Sequence, residues 1–93
     1  MNLDKAKKRI AKHVNKGFKG YPQIALAYYG KDKECATEVV VQFTQAEGAA
    51  VQEERFSCDS DVRESELIQT TLLKIIERAA VNSVIEFEGV SIR

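Results

Sequence analysis

The 93-residue sequence has no tryptophan, a single proline, a single histidine and only two cysteines. Each scarcity excludes something. One proline and five glycines leave no proline-rich linker, collagen-like repeat or low-complexity tract, and 44% hydrophobic residues is the content of a folding chain. No apolar run approaches the roughly 18 residues that a membrane helix needs, so no membrane partner is expected. The first residues carry lysines but no apolar segment of the kind that directs secretion. Two cysteines are too few for the disulfide framework of a small secreted domain, which points to a reducing, cytoplasmic setting. Length alone predicts one domain spanning 1–93.

The chemistry-bearing inventory is equally thin. Cys35, Cys58 and His13 do not have the spacing of a zinc knuckle or ribbon. Asp59-x-Asp61-x-x-Glu64 lacks the turn glycine of a calcium loop. There is no nucleophile elbow, phosphate-binding loop, dinucleotide fingerprint or HExxH pair. A lone cysteine with a lone histidine does not define a nucleophilic site. A non-enzymatic protein with no cofactor and no metal is the expectation.

What the sequence does contain is clear periodicity. Leu3, Ala6, Ile10 and Val14 recur at helical spacing over Leu3–Lys16, with Gly17 placed to stop the helix and Pro22 barring its continuation. From Gln23 to Gly30 the period becomes two: Ile24, Leu26 and Tyr28 share one face, Ala25, Ala27 and Tyr29 the other. Ala36–Thr44 is a β-branched run. The polar stretch Ala49–Ser57, with Gln52, Glu53, Glu54 and Arg55 at its centre, reads as an edge strand. Asp61 and Glu64 have the spacing of a capping box ahead of a helix over Val62–Val81. Its predicted stripe is Ile68, Leu72, Ile75, Ile76 and Ala79, widened by Leu67 and Leu73, and Asn82 is placed to end it. Ile85 and Phe87 alternate with glutamates in a last strand, and the change of parity before Val90 predicts a bulge at Glu88–Gly89.

These elements predict an α+β fold of order α-β-β-β-α-β. It consists of an antiparallel three-stranded meander and a C-terminal strand joining an edge, with both helices on one face of the sheet. A hairpin turning at Ala46 and Glu47 sets Cys35 opposite Cys58, which admits a disulfide. Free cysteines acting as small buried hydrophobes are the commoner outcome.

Charge is unevenly laid out despite 14 cationic and 14 acidic side chains. Residues 1–20 carry Lys5, Lys7, Lys8, Arg9, Lys12, Lys16 and Lys19 against Asp4, a net of +6. Residues 34–66 carry nine acidic side chains against Arg55 and Arg63, a net of −7. The first expectation is therefore a protein-interaction or adaptor domain that self-associates through opposite charge blocks. Glu53, Glu54, Asp59, Glu64 and Glu66 would form its acidic interaction face. The alternative is weak nucleic-acid binding, of RNA in particular, through Lys5, Lys8, Arg9, Lys12, Lys16 and Lys19, with Phe18 and Tyr21 stacking on bases.

Three local resemblances bear on that alternative. Lys16-Gly17-Phe18 begins as the base-stacking motif of the RNA-recognition motif family does, and departs from it at Lys19. Gly17-Phe18-Lys19-Gly20 resembles the GxxG clamp of KH domains, but a proline and a strand follow where that family has a helix. The α-β-β-β-α order resembles double-stranded-RNA-binding domains in outline. Their final helix opens with lysines, whereas this one opens with Asp61, Glu64 and Glu66. A pocket between helix 1 and the sheet is a further expectation, with contents the sequence does not specify.

Overall fold

The computed structural model describes residues 2–87 and 89–92. Helix α1 spans Leu3–Asn15, started by Asn2, whose side chain accepts from the Lys5 amide at 2.9 Å. Gly17 follows at φ +71°, and its amide closes on the Val14 carbonyl at 3.1 Å. Strands β1 (Gln23–Gly30), β2 (Glu38–Thr44) and β3 (Gln52–Ser57) form the meander, and the first has the bounds its alternation predicts. One turn of 3₁₀ helix at Val62–Glu64 precedes helix α2 (Glu66–Ala79). Strand β4 (Ser83–Glu86) and the two-residue β5 (Ser91–Ile92) complete the sheet.

The sheet order is β3-β2-β1-β4, with β4 parallel to β1 and β5 continuing along the same side of β1. After β3 the chain therefore crosses both of its hairpin partners by way of α2 to reach the opposite edge. Both helices lie on one face, as the patterning predicts. Ala6 and Ile10 of α1 and Ile68, Leu72, Leu73 and Ile76 of α2 pack with Ile24, Leu26, Val39, Val41 and Val84 of the sheet. Ala25, Ala27 and Val40 occupy the middle of the other face, with Gln42 and Arg55 across the strands from them.

Several expectations are corrected. The β2–β3 hairpin pairs Glu38 with Ser57 and Val39 with Phe56, so its turn lies further along than Ala46–Glu47. Gly48, at φ +79°, takes the third position of a turn closed by the Ala49 amide on the Ala46 carbonyl at 3.0 Å, as in a type II turn. That register no longer sets Cys35 opposite Cys58, and both cysteines are free.

The helix expected over Val62–Val81 is two elements. Asp61 caps only the 3₁₀ turn, accepting from the Arg63 amide at 2.9 Å, and Ser65 starts α2 by accepting from the Ile68 amide at 3.3 Å. A Ser65 backbone in the extended region cannot belong to a continuous helix. The helix ends at Ala80, which takes the left-handed conformation at φ 50° in place of Asn82. Leu67 does not widen the core stripe: at 100° per residue it sits across the helix from Leu72 and Ile76 and is 77% exposed.

The C-terminal strand needs no change of parity. Val84 and Val90 both face the core, while Phe87 is half exposed. The offset between paired residues grows from 60 at Leu26 and Glu86 to 62 at Tyr29 and Ser91, so two extra residues are accommodated between β4 and β5. The bulge expected at Glu88–Gly89 falls partly outside the described residues, at Glu88.

Candidate functional site

The split of charge along the sequence becomes a split across the sheet. Helix α1 packs on α2 and on β4, whereas the acid-rich β3 is the opposite edge strand. Burying Ala6 and Ile10 turns Lys5, Lys8, Lys12 and Lys16 outward, all of them exposed. Two of the α1 cations are paired inside the fold: Arg9 with Glu77 and Lys7 with Glu64. Among the described residues Lys5, Lys8, Lys12, Lys16 and Lys19 have no carboxylate partner.

The loop after α1 is held down by β4. Ser83, 1% exposed, donates from Oγ to the Gly20 carbonyl and accepts from the Lys19 amide, each at 2.7 Å. Asn82 donates to the Tyr21 carbonyl at 2.7 Å. The Phe18 and Tyr21 rings meet edge to face with centroids 5.5 Å apart, and Phe18 is 59% exposed. The structure therefore brings both aromatic residues together beside the basic helix.

The acidic set is divided. Glu53 and Glu54 are successive strand residues and project from opposite faces of β3, with Gln42 donating to Glu53 at 3.2 Å. Asp59 lies exposed beyond the end of β3, and Glu66 lies in the first turn of α2. Glu64 is drawn away toward α1 by Lys7, at 3.0 Å.

That contact borders a cleft of about 600 Å³ between α1, the 3₁₀ turn, α2 and the ends of β1 and β4. Its base holds two polar side chains where the apolar stripes would carry hydrocarbon. Tyr28, 6% exposed, donates to Glu86 Oε2 at 2.8 Å, and Gln69, 4% exposed, donates to the Val62 carbonyl at 3.1 Å. Burial, and then the charge and hydrogen bond of Glu86, push the Tyr28 hydroxyl well above the usual tyrosine range. It therefore stays a neutral donor across ordinary pH. The walls add Lys7, Lys8, Arg63 and Glu64.

Arg63 is itself fixed. Its Nε and Nη2 both donate to the Asp61 carboxylate, the shorter contact being 2.7 Å, and Nη2 also reaches the Glu34 carbonyl at 3.1 Å. The side-chain hydrogen bonds from Arg63 hold the Asp61 carboxyl below its ordinary value. Above the unfolded-state value, about 3.9, the carboxylate is ionised in both folded and unfolded chains, and its contribution to stability is complete. As pH falls from there through the lower folded value, the unfolded chain takes up the proton first and the contribution is lost. Urea unfolding followed from pH 6 to pH 3 is expected to show less loss of stability below about pH 4 in Asp61→Asn than in the parent. Equal slopes would show that the Arg63 contact does not perturb Asp61.

No known family matches the chain, and neither a curated protein nor a solved structure is significantly similar to it. Of the cleft, Lys8 and Glu64 stand out in the sequence as charges, but Tyr28, Gln69 and Glu86 do not stand out as one group. The available signal was a glutamine inside the Ile68–Leu72–Ile76 stripe and a tyrosine hydroxyl on the core face of β1, polar groups where burial calls for hydrocarbon.

Proposed function

We propose that this chain is a small, non-enzymatic binding module that self-associates, the basic face of α1 on one copy meeting the acidic β3 edge of another. The single observation that supports this reading is the separation of charge onto opposite edges of one sheet, with unpaired lysines at one and exposed Glu53 and Glu54 at the other. A contact between two different patches is heterologous, so each added copy leaves a further patch open. An edge strand with an unpaired backbone adds a second source of attraction. A reducing, cytoplasmic setting fits the two free thiols. No helix among the described residues is long and apolar enough to cross a membrane.

Light scattering behind size exclusion is expected to give a mass that rises above 10.4 kDa with protein concentration at low salt and returns to that value at high salt. Replacing Lys5, Lys8, Lys12 and Lys16 by Glu abolishes the rise. Adding a Glu53→Lys, Glu54→Lys variant to that protein restores it, because the two patches then complement each other with reversed signs. A monomer independent of salt and concentration overturns the proposal.

A second reading, weak RNA binding, is favoured by the exposed Phe18–Tyr21 pair beside the same lysines. It ranks second because the acidic β3 edge repels a polyanion and confines contact to one side. Amide NMR titration with a mixed RNA and DNA pool supports it if shifts confined to Lys5–Tyr21 fade as salt rises, and removes it if no shift appears at low salt.

A further inference from the structure

We infer that the cleft between α1 and the 3₁₀ turn binds a small zwitterion of the amino-acid class, a molecule carrying one carboxylate and one ammonium group. Among the described residues, several polar groups around this cleft have no partner within the fold. Lys7 is paired with Glu64, and Arg63 uses Nε and Nη2 on Asp61 and Glu34. Among the described residues the Lys8 ammonium and Arg63 Nη1 have no partner. On the acceptor side, Tyr28 donates to one oxygen of Glu86, leaving Oε1 unpartnered among the described residues, and Gln69 bonds only through its amide nitrogen.

The four residues that carry these unpartnered donors and acceptors all line one space of about 600 Å³, a volume in the range of small-molecule sites. The sign pattern narrows the occupant. Glu64 and Glu86 oppose a phosphate or other polyanion, while Lys7, Lys8 and Arg63 oppose a simple amine. A molecule with both charges satisfies each side, its carboxylate toward Lys8 and Arg63 and its ammonium toward Glu86 and the Gln69 carbonyl. Ile10 and Ala11 supply an apolar wall for a modest side chain. Tyr28 and Gln69 each spend a donor inside the fold, on Glu86 and on the Val62 carbonyl, which holds the Glu86 carboxylate and the Gln69 amide in place at the base of the cleft. The cleft shares Lys8 with the basic face of α1 but none of its other lining residues with the acidic β3 edge, and Glu86→Gln tests it without touching the self-association surface.

The test is amide NMR of the full chain at high salt, where assembly is suppressed, titrated separately with each proteinogenic amino acid at millimolar concentration. Acetate, butylamine and inorganic phosphate serve as single-charge controls. The expected result is saturable shifts at Lys8, Tyr28, Gln69 and Glu86 for at least one amino acid and none for the controls. Both Lys8→Gln and Glu86→Gln lie at exposed positions, preserve the fold and weaken that binding by about tenfold or more. Absence of saturable shifts with every amino acid overturns the inference. So does equal binding of acetate or phosphate, which makes the cleft an anion site, or affinity unchanged in both variants.

Discussion

Gly30→Ala is expected to leave no cooperatively folded protein, or one destabilised by more than about 4 kcal/mol. At the end of β1 the chain doubles back through a loop tied by Asp32, whose Oδ1 accepts from the Glu34 and Cys35 amides, each at 2.9 Å. A Cβ on Gly30 would lie 2.1 Å from the Cys35 carbonyl oxygen and 3.3 Å from the Ala36 Cα. The obstruction is backbone, so no rotamer relieves it. Ala36 is fully buried, and its carbonyl receives the Val62 amide, which couples the loop to the 3₁₀ turn. Gly48→Ala is the control: nothing lies within 4 Å of its added Cβ, and only the positive φ is penalised, at about 1–2 kcal/mol. Circular dichroism during urea unfolding distinguishes the two. A Gly30→Ala protein unfolding at the parent midpoint would show that the loop moves aside at little cost.

Leu72→Ala is expected to cost about 3 kcal/mol, while Leu67→Ala, one and a half turns away in the same helix, costs less than about 0.5. Leu72 is 1% exposed and belongs to the cluster that joins α2 to β1, β2 and α1, whereas Leu67 is 77% exposed. Truncating the first leaves a cavity between helices and sheet, and truncating the second removes atoms already in water. A domain of this size has only about 5–10 kcal/mol of total stability, so the first change lowers the urea midpoint by about 2 M. Equal midpoints for the two variants would mean that α2 is rotated from the orientation described.

The Leu67 contrast also shows where sequence reasoning succeeds and where it stops. Along β1 the pattern decides everything, because Ile24, Leu26 and Tyr28 alternate with residues of smaller or wetter character and a one-residue slip would expose all three. Along α2 the stripe is wide enough that its edge cannot be read from hydrophobicity, and leucine at position 67 looks like a core residue. The Asp61 capping signal is real, but it governs one turn, and Ser65 three residues before Ile68 carries an equally good signal for a second start. The hairpin register was hidden because Gln45–Val51 holds three alanines, two long polar side chains and one glycine, with no Asn-Gly or Asp-Gly pair to pin the turn. That β4 pairs with β1 and not with β3 is decided by how α2 lies across the sheet, a tertiary fact with no local trace. A pocket beside helix 1 was expected, but its lining escaped for the same reason. Lys8, Arg63, Gln69 and Glu86 belong to four separate elements, and only packing makes them neighbours.

The parallel placement of β4 against β1 has a kinetic consequence. Helix α1 and the loop after it find their partners in α2, Asn82 and Ser83, more than sixty residues later in the chain. During synthesis the meander can pair as its strands emerge, but β1 keeps one edge bare and α1 has nothing to pack on until residues beyond 66 are available. Long-range closure of this kind slows folding and makes it an all-or-none event in which the first and last elements lock together. The interval before that locking is when the β1 edge is open to pairing with another chain, so prompt docking of β4 protects the nascent protein from misassembly.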